Sequence, residues 1–515
     1  MPDFRTLAPA LLAALLLLLA GCTRLPSGSW SLDLLTRPDT TRSEALSAGG
    51  DAREVGVEVD GDGSVFSRPA AAALSPQRLQ TEVADLLAED QRGTAVRLVQ
   101  RYPEVAWERL RSAPPEAAET AALRAMAAAH DAQVRRSGTA TGWEELLDQR
   151  ERRPEPYTRY ARRRAEFVAL LRQQRPAEAL QIGLLPQQED ALPLLLALDA
   201  QQLTARALRR DGRAGAAAEL LQRAVRQARQ APPYYEAQLR LEASEAWQHA
   251  GQFAAAGEAW QAAVRQAGRT LLSDPPLFDP SFWQQAAETR PADQTWPSEA
   301  IDRLADLAAE TGAWGGPLPP NSEDPARQAA PERFVWACIG HWRLERGEPQ
   351  AALVAWKRAH ALGASDEERH HFEWGQARAL IALDQPSAAT ALLLALSDRA
   401  ASPTREAALA TLGTLRLEAG NTKQGFQLLQ RALEDEPHPD WPGRARAEAD
   451  LGLAYLLLGN QQAGLEWLQK AQARFERSGD HDQLLLSLLN EQAYWEQAGE
   501  KRKAQAVQQR IQRWK

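Results

Sequence analysis

The chain has 515 residues, 44% of them apolar and 25% charged, with a formal net charge of −8. That composition suits folded globular protein, and the length suits several domains or one long repeat array. The mild negative charge argues against a nucleic-acid binder, which needs a basic face, and two cysteines, Cys22 and Cys338, exclude a disulfide framework.

Met1 to Ala20 reads as an export signal. Arg5 and the amino terminus, less Asp3, make a weakly positive start, and an apolar run from Leu7 to Ala20 follows, broken by Pro9. A bilayer-spanning helix needs about 20 residues, so the run has the length of a signal h-region instead. The next residues, Leu19-Ala20-Gly21-Cys22, resemble a bacterial lipobox. The resemblance implies a signal peptide of residues 1–21, a diacylglyceryl group on the Cys22 sulfur, cleavage before Cys22, and acylation of the new amine. Several acyl chains, at ~0.8 kcal/mol per buried methylene, make such an anchor essentially permanent. Thr23 follows the cysteine, where an aspartate is associated with inner-membrane retention. In a Gram-negative cell the family rule therefore points to the outer membrane, facing the periplasm.

Residues 22–76 read as a lipid-anchored flexible tether, rich in Ser, Thr, Gly, Asp and Pro, with SAGGDAR and DGDGS as its loosest points. Val55, Val57 and Val59 alternate before the turn at 60–63, the pattern of a small hairpin. DGDGS also opens like a calcium loop. Its twelfth position, where a bidentate glutamate is needed, is Ala71, so no calcium is expected there.

From residue 77 onward Ala, Leu, Gln, Glu and Arg dominate, all good helix formers. Residues 77–197 are helical but match the repeat pattern poorly; RPAEAL at Arg175–Leu180 has the look of a decayed turn, so degenerate repeats are one reading of this region. Residues 198–267 and 333–515 repeat plainly. SEAWQHAGQFAAAGEAWQAA carries Ser244, Trp247, Gly251, Ala256, Trp260 and Ala263. WACIGHWRLERGEPQAALVAWKRA carries Trp336, Gly340, Gly347, Ala352, Trp356 and Ala359. LGTLRLEAGNTKQGFQLLQRALEDEP and LGLAYLLLGNQQAGLEWLQKA place Gly413, Gly420, Gly425, Ala432 and then Gly452, Gly459, Gly464, Ala471 at the same offsets. Degenerate copies surround Gly212, Asp384 and Gly499.

These offsets resemble the tetratricopeptide repeat. The resemblance implies an all-α fold, an α-solenoid of antiparallel helix pairs in which small residues let paired backbones approach and large ones fill the space between pairs. Between 268 and 332 the pattern breaks: ten prolines crowd there, around GAWGGPLPP, although SEAIDRLADLAAE keeps a helical pattern with Ser298 as its cap. This stretch reads as a Pro-rich insertion or a hinge between two repeat blocks.

No motif for catalysis, metal or cofactor binding stands out. His370 and His371 point to different helix faces and make a poor chelate, and there is no Gly-x-Ser-x-Gly, phosphate loop or Cys-x-x-Cys. Several of the 16 tryptophans, among them Trp247, Trp260, Trp336, Trp356 and Trp495, fall at core positions of the repeat. By the family's register, first-helix residues facing the concave side form a candidate partner groove: Arg206, Arg209, His341, His371, Trp374 and Arg378. The expected function is a non-catalytic scaffold of the cell envelope, held to the membrane by lipid on Cys22 and binding protein partners through its repeats. The alternative is an envelope enzyme or glycan-binding protein whose site lies in the N-terminal region or in 268–332.

Overall fold

The computed structural model describes residues 74–514 apart from 114–119, 135–141, 185–191, 273–276, 311–328, 363–364, 401–402, 435–440, 442 and 479. Cys22, the export signal, the valine hairpin, Ala71, GAWGGPLPP and nearly all of the expected tether lie outside the described residues. Among the described residues there are 23 α-helices and no strand. No helix among them is long and apolar enough to cross a membrane.

The first two helices pair across Asp90, at φ 58°, and then gather with the third on a fourth helix. α1 (Pro76–Ala88), α2 (Arg92–Arg101) and α3 (Pro103–Ser112) each pack on α4 (Thr120–Val134), which makes a small bundle. α5 (Trp143–Arg152) leads from it to α6 (Pro154–Arg172), where the continuous series of helix pairs begins. α6 pairs with α7 (Pro176–Ile182), α8 (Leu194–Arg210) with α9 (Ala214–Gln227), and α10 (Pro233–His249) with α11 (Phe253–Thr270). Then come α12 (Pro280–Glu288), α13 (Ser298–Glu310), and the pair of α14 (Ala329–Glu345) with α15 (Pro349–Ala361). The array ends with α16 (Asp366–Ala382) and α17 (Pro386–Arg399), α18 (Thr404–Glu418) and α19 (Thr422–Glu434), α20 (Arg444–Leu457) and α21 (Gln461–Ser478), and α22 (His481–Gln497) with α23 (Lys501–Trp514). Each pair also packs on the next, so the chain is an α-solenoid of tetratricopeptide-like pairs, as the repeats implied.

The turn inside each pair follows from one residue in the left-handed region. φ is 80° at Gly212, 73° at Gly251, 73° at Gly347, 79° at Gly420, 84° at Gly459 and 75° at Gly499. Asp384 takes φ 57° and Gln174 takes φ 59°, so the degenerate copy at 384 and the decayed turn before RPAEAL keep the same backbone without glycine. Proline often follows: it opens α7, α15 and α17, at a helix position whose N–H has no intrahelical acceptor.

Inside a pair, small residues decide the spacing. A Cβ added at Gly340 of α14 would sit 2.8 Å from the Trp356 ring of α15, and one at Gly375 of α16 would overlap the same ring. The Trp356 indole therefore lies between a glycine of its own pair and a glycine of the next. Gly413 and Gly425 likewise face each other in α18 and α19, and Gly452 and Gly464 in α20 and α21. Trp260, Trp336, Trp356 and Trp495 are buried, as core positions require, while Trp247 is only partly so.

The proline-rich stretch holds two helices, each packed on its neighbours in the array. α12 packs on α14 and α10, and α13 packs on α11 and α14, so both occupy places in the stack. Trp296, in the loop after α12, is buried between Trp260 of α11 and Trp283 of α12, with ring centroids 5.1 and 6.3 Å away. The prolines lengthen the connections around these two helices, which keep their contacts with the array. α13 begins at Ser298, within a residue of the expected cap.

Candidate functional site

Which face is inner follows from the packing. First helices of neighbouring pairs approach one another, α14 with α16, α16 with α18, α18 with α20 and α20 with α22, whereas the corresponding second helices stand farther apart. The first helices therefore line the inside of the curve.

All six groove candidates lie on first helices, in two separate groups. Arg206 of α8 donates from Nε to both carboxylate oxygens of Glu242 in α10 at 3.1 Å, and Arg209 pairs with Glu245 of the same helix. Arg378 of α16 donates to Glu345 at the end of α14 at 3.0 Å, and its guanidinium lies 5.0 Å from the Trp374 ring centroid. Trp374 is 6% exposed, and its indole N–H donates to Thr411 of α18 at 3.2 Å. Thr414 in turn donates to Asp450 of α20 at 2.5 Å. These contacts span 33 to 37 residues in sequence, about one repeat, so they stitch each first helix to the next. Glu345, Thr411, Thr414 and Asp450 were not singled out from the sequence. The sign that finds them is a complementary polar residue one repeat length from each candidate.

His341 and His371 are both buried beside this ladder. The His371 ring lies 5.6 Å from that of Trp356 and 5.8 Å from that of Trp374. Burial pulls the His341 imidazole down to about 4 and the His371 imidazole down to about 3, the second aided by His341 and Arg378 nearby. Both rings are neutral at physiological pH. They act there as polar packing, and the exposed part of this group is the Arg378–Glu345 pair.

The inner face of the N-terminal pairs is already occupied. α3 lies across it, with one side in the N-terminal bundle (Ala106 and Leu110 buried) and the other on the first helices. Glu108 pairs with Arg164 of α6 at 3.0 Å, and Arg111 pairs with Asp199 of α8 at 2.8 Å. The Trp107 ring packs 4.3 Å from Tyr235 and 5.3 Å from Tyr234 of α10, centroid to centroid. Glu104 pairs with Arg346 just beyond α14, and the Tyr102 hydroxyl donates to the Arg346 carbonyl at 2.6 Å. α3 thus crosses from α6 to the end of α14. Among the described residues no group of three or more His, Cys, Asp or Glu is placed to hold a metal ion.

No family model matches the chain, and no curated protein does. Solved structures with some likeness include a monomeric mutant of IFIT1 with Gppp-AAAA, 13% identical over 66% of this chain and 72% of that one, with a TM-score of 0.27. The Cut9-Hcn1 hetero-tetramer of the APC/C is 12% identical over 85% of this chain and 96% of that one, with a TM-score of 0.25. A circular tandem repeat protein with novel repeat topology is 14% identical over 85% and 88%, with a TM-score of 0.12.

Proposed function

We propose that the chain is an exported, lipid-anchored scaffold of the cell envelope that binds a protein partner on the inner face of its C-terminal pairs. The observation that carries the reading is the division of that face. α3 fills the N-terminal part, and its described contacts end at Arg346, so α16 to α22 form the stretch a partner meets. A long run of first helices suits an extended segment or a helix laid across several rungs. The anchor rests on Leu19-Ala20-Gly21-Cys22, and the outer membrane on Thr23.

Two experiments test it. Cys22→Ala should abolish labelled fatty-acid incorporation and leave the signal uncleaved; lipidation of that variant removes the anchor from the reading. Affinity capture of the tagged, detergent-solubilised chain, read by mass spectrometry, should then give one dominant protein. Arg378→Glu should weaken its capture at least about tenfold, while Phe253→Ala, on a second helix where Phe253 is exposed, should leave it unchanged. Equal loss in both variants, or in neither, moves the partner off this face. Retention on peptidoglycan with no protein partner overturns the scaffold.

A further inference from the structure

Charge is divided unevenly along this chain. Residues 150–230 hold sixteen arginines, no lysine and nine acidic residues, a balance of +7, while the whole chain carries −8. Several of these arginines are used internally. Arg164 pairs with Asp199, Arg206 with Glu242 and Arg209 with Glu245, and Arg150 is buried against the Ala113 carbonyl. Arg152, Arg153, Arg162, Arg163, Arg226 and Arg229 are exposed, and among the described residues they pair with no carboxylate.

These six share one edge of the array. The Tyr160 hydroxyl of α6 donates to Asp199 of α8, and two residues on, Gln201 donates to Gln227 of α9 at 2.8 Å. The first half of α6, the start of α8 and the end of α9 therefore lie level with one another. The turns inside the pairs are at the opposite edge, where Arg210 donates to the Leu171 carbonyl at 2.8 Å. Arg152 and Arg153 lead into α6, Arg162 and Arg163 follow Tyr160 within a turn, and Arg226 and Arg229 flank Gln227. α7 leaves this edge uncovered. It has seven residues and is about 10 Å long, whereas α6 has nineteen and is about 28 Å long.

A single solvated arginine needs no partner. Six at one edge, against the two exposed acids of α6, Glu155 and Glu166, make a local positive field on a chain that is otherwise acidic. They are spread over helix ends rather than gathered around a cavity, which suits a flat anionic partner. A guanidinium also meets phosphate through two parallel N–H donors. The expected tether between Cys22 and α1, about 50 residues, reaches about 40 Å as a coil, so a membrane that holds Cys22 is within range.

We propose that this edge docks on anionic phospholipid headgroups of the membrane that holds the anchor, which sets the N-terminal pairs on the leaflet and leaves α16 to α22, farther along the array, to the partner. The choice of a lipid surface rests on the lipid-anchored reading of Cys22, and the test lets the edge fail while the anchor stands.

The lipidated full chain is placed on vesicles of phosphatidylcholine alone or with about 30% phosphatidylglycerol, the anionic lipid. A dye on Gln230→Cys, beside Arg229, reports energy transfer to a headgroup dye; Cys338 is buried and stays unlabelled. Transfer should be at least about threefold greater on the anionic vesicles. About 1 M salt, where the screening length is about 3 Å, should abolish the difference. So should Arg152→Gln, Arg153→Gln, Arg162→Gln and Arg163→Gln together, all away from the dye. Glu155→Gln should raise transfer on the anionic vesicles, a gain that damage to the fold does not produce. A dye on Gln461→Cys, in α21, should show no such preference. Equal transfer on both vesicles from a chain that carries its fatty-acid label overturns the edge alone, and an unlipidated chain overturns edge and anchor together. A preference that the fourfold variant retains also overturns the edge. Thermal melting of each variant comes first; should the fourfold variant melt early, Glu155→Gln carries the comparison, and no gain there overturns the proposal.

Discussion

Two kinds of buried titratable residue set the behaviour of single side chains here. Cys338 is fully buried in α14, and burial pushes its thiol well above the usual range. The thiolate is the reactive form, so a maleimide should label Cys338 only after unfolding, and labelling of the native chain would contradict the packing of α14. His341 and His371 are held neutral, at about 4 and about 3, against about 6.5 in an unfolded chain. The unfolded chain takes up these protons first, so their stability is fully present above about pH 6.5 and is lost as pH falls toward the folded values. Each histidine lowers unfolding free energy by up to ~1.4 kcal/mol per pH unit in that window. Denaturant melts at pH 6.5 and 5 should show the fall, and His371→Phe should reduce it by about half; an unchanged slope would mean that His371 is protonated in the fold. The sequence placed these histidines on first helices, where the structure has them. It did not show them as buried, because inner-face and core positions of a first helix are neighbours in register, and a ring between Trp356 and Trp374 belongs to both.

At the scale of the helix pair, glycine has two opposite roles, and substitution separates them. Alanine in an exposed helix is more stable than glycine by up to about 1 kcal/mol. Gly215 in the first turn of α9 meets nothing within 4 Å of an added Cβ, so Gly215→Ala should raise stability slightly. At Gly340 the added Cβ meets the Trp356 ring at 2.8 Å, and that ring has Gly375 on its other side, so it has nowhere to move. Overpacking costs about 1–3 kcal/mol, and Gly340→Ala should melt earlier than the parent despite its better helix propensity. Equal shifts of one sign at the two positions would show that propensity, not the fit around Trp356, governs the pair. The same contacts explain what was legible. Leu-Gly, the turn glycine and the second-helix alanine are steric requirements of a pair, so every expected turn from 347 to 499 has positive φ. α12 was hidden, and α13, though legible as a helix, could not be placed in the array, because lengthened, proline-rich connections move their core residues away from the repeat offsets, though Trp283 and Trp296 still fill the layer. The bundle of α1 to α4 was hidden for another reason: α1, α2 and α3 all converge on α4 besides meeting one another, and that mutual packing has no repeating offset to detect.

At the scale of the whole molecule, the contact that shapes function joins parts of the chain that no local pattern connects. Tyr102 and Arg346 lie 244 residues apart, and the Arg346 guanidinium stands 5.1 Å over the Tyr102 ring while it pairs with Glu104. At the other end of α3, the buried Asp199 carboxylate receives Arg111 at 2.8 Å and Arg164 at 2.7 Å, which hold it well below the usual carboxylate range against the opposing effect of burial. α3 is therefore fastened at both ends across the inner face, and this decides which part of that face a partner can reach. Removing one member of a buried pair costs about 3–5 kcal/mol because the other is left uncompensated. Arg346→Met should loosen the Tyr102 end, and Asp199→Asn should loosen the far end by more, since two arginines lose their charge partner. Either change should open α3 locally rather than unfold the array, because α18 to α23 share no pair with it among the described residues. Amide exchange in α3 should speed by on the order of a hundredfold for a ~3 kcal/mol loss, with exchange in α18 to α23 unchanged. Exchange that rises equally in both regions would make the array a single cooperative unit. Exchange that rises in neither would mean that the bundle core around Ala106 and Leu110, not the ion pairs, holds α3 against the inner face.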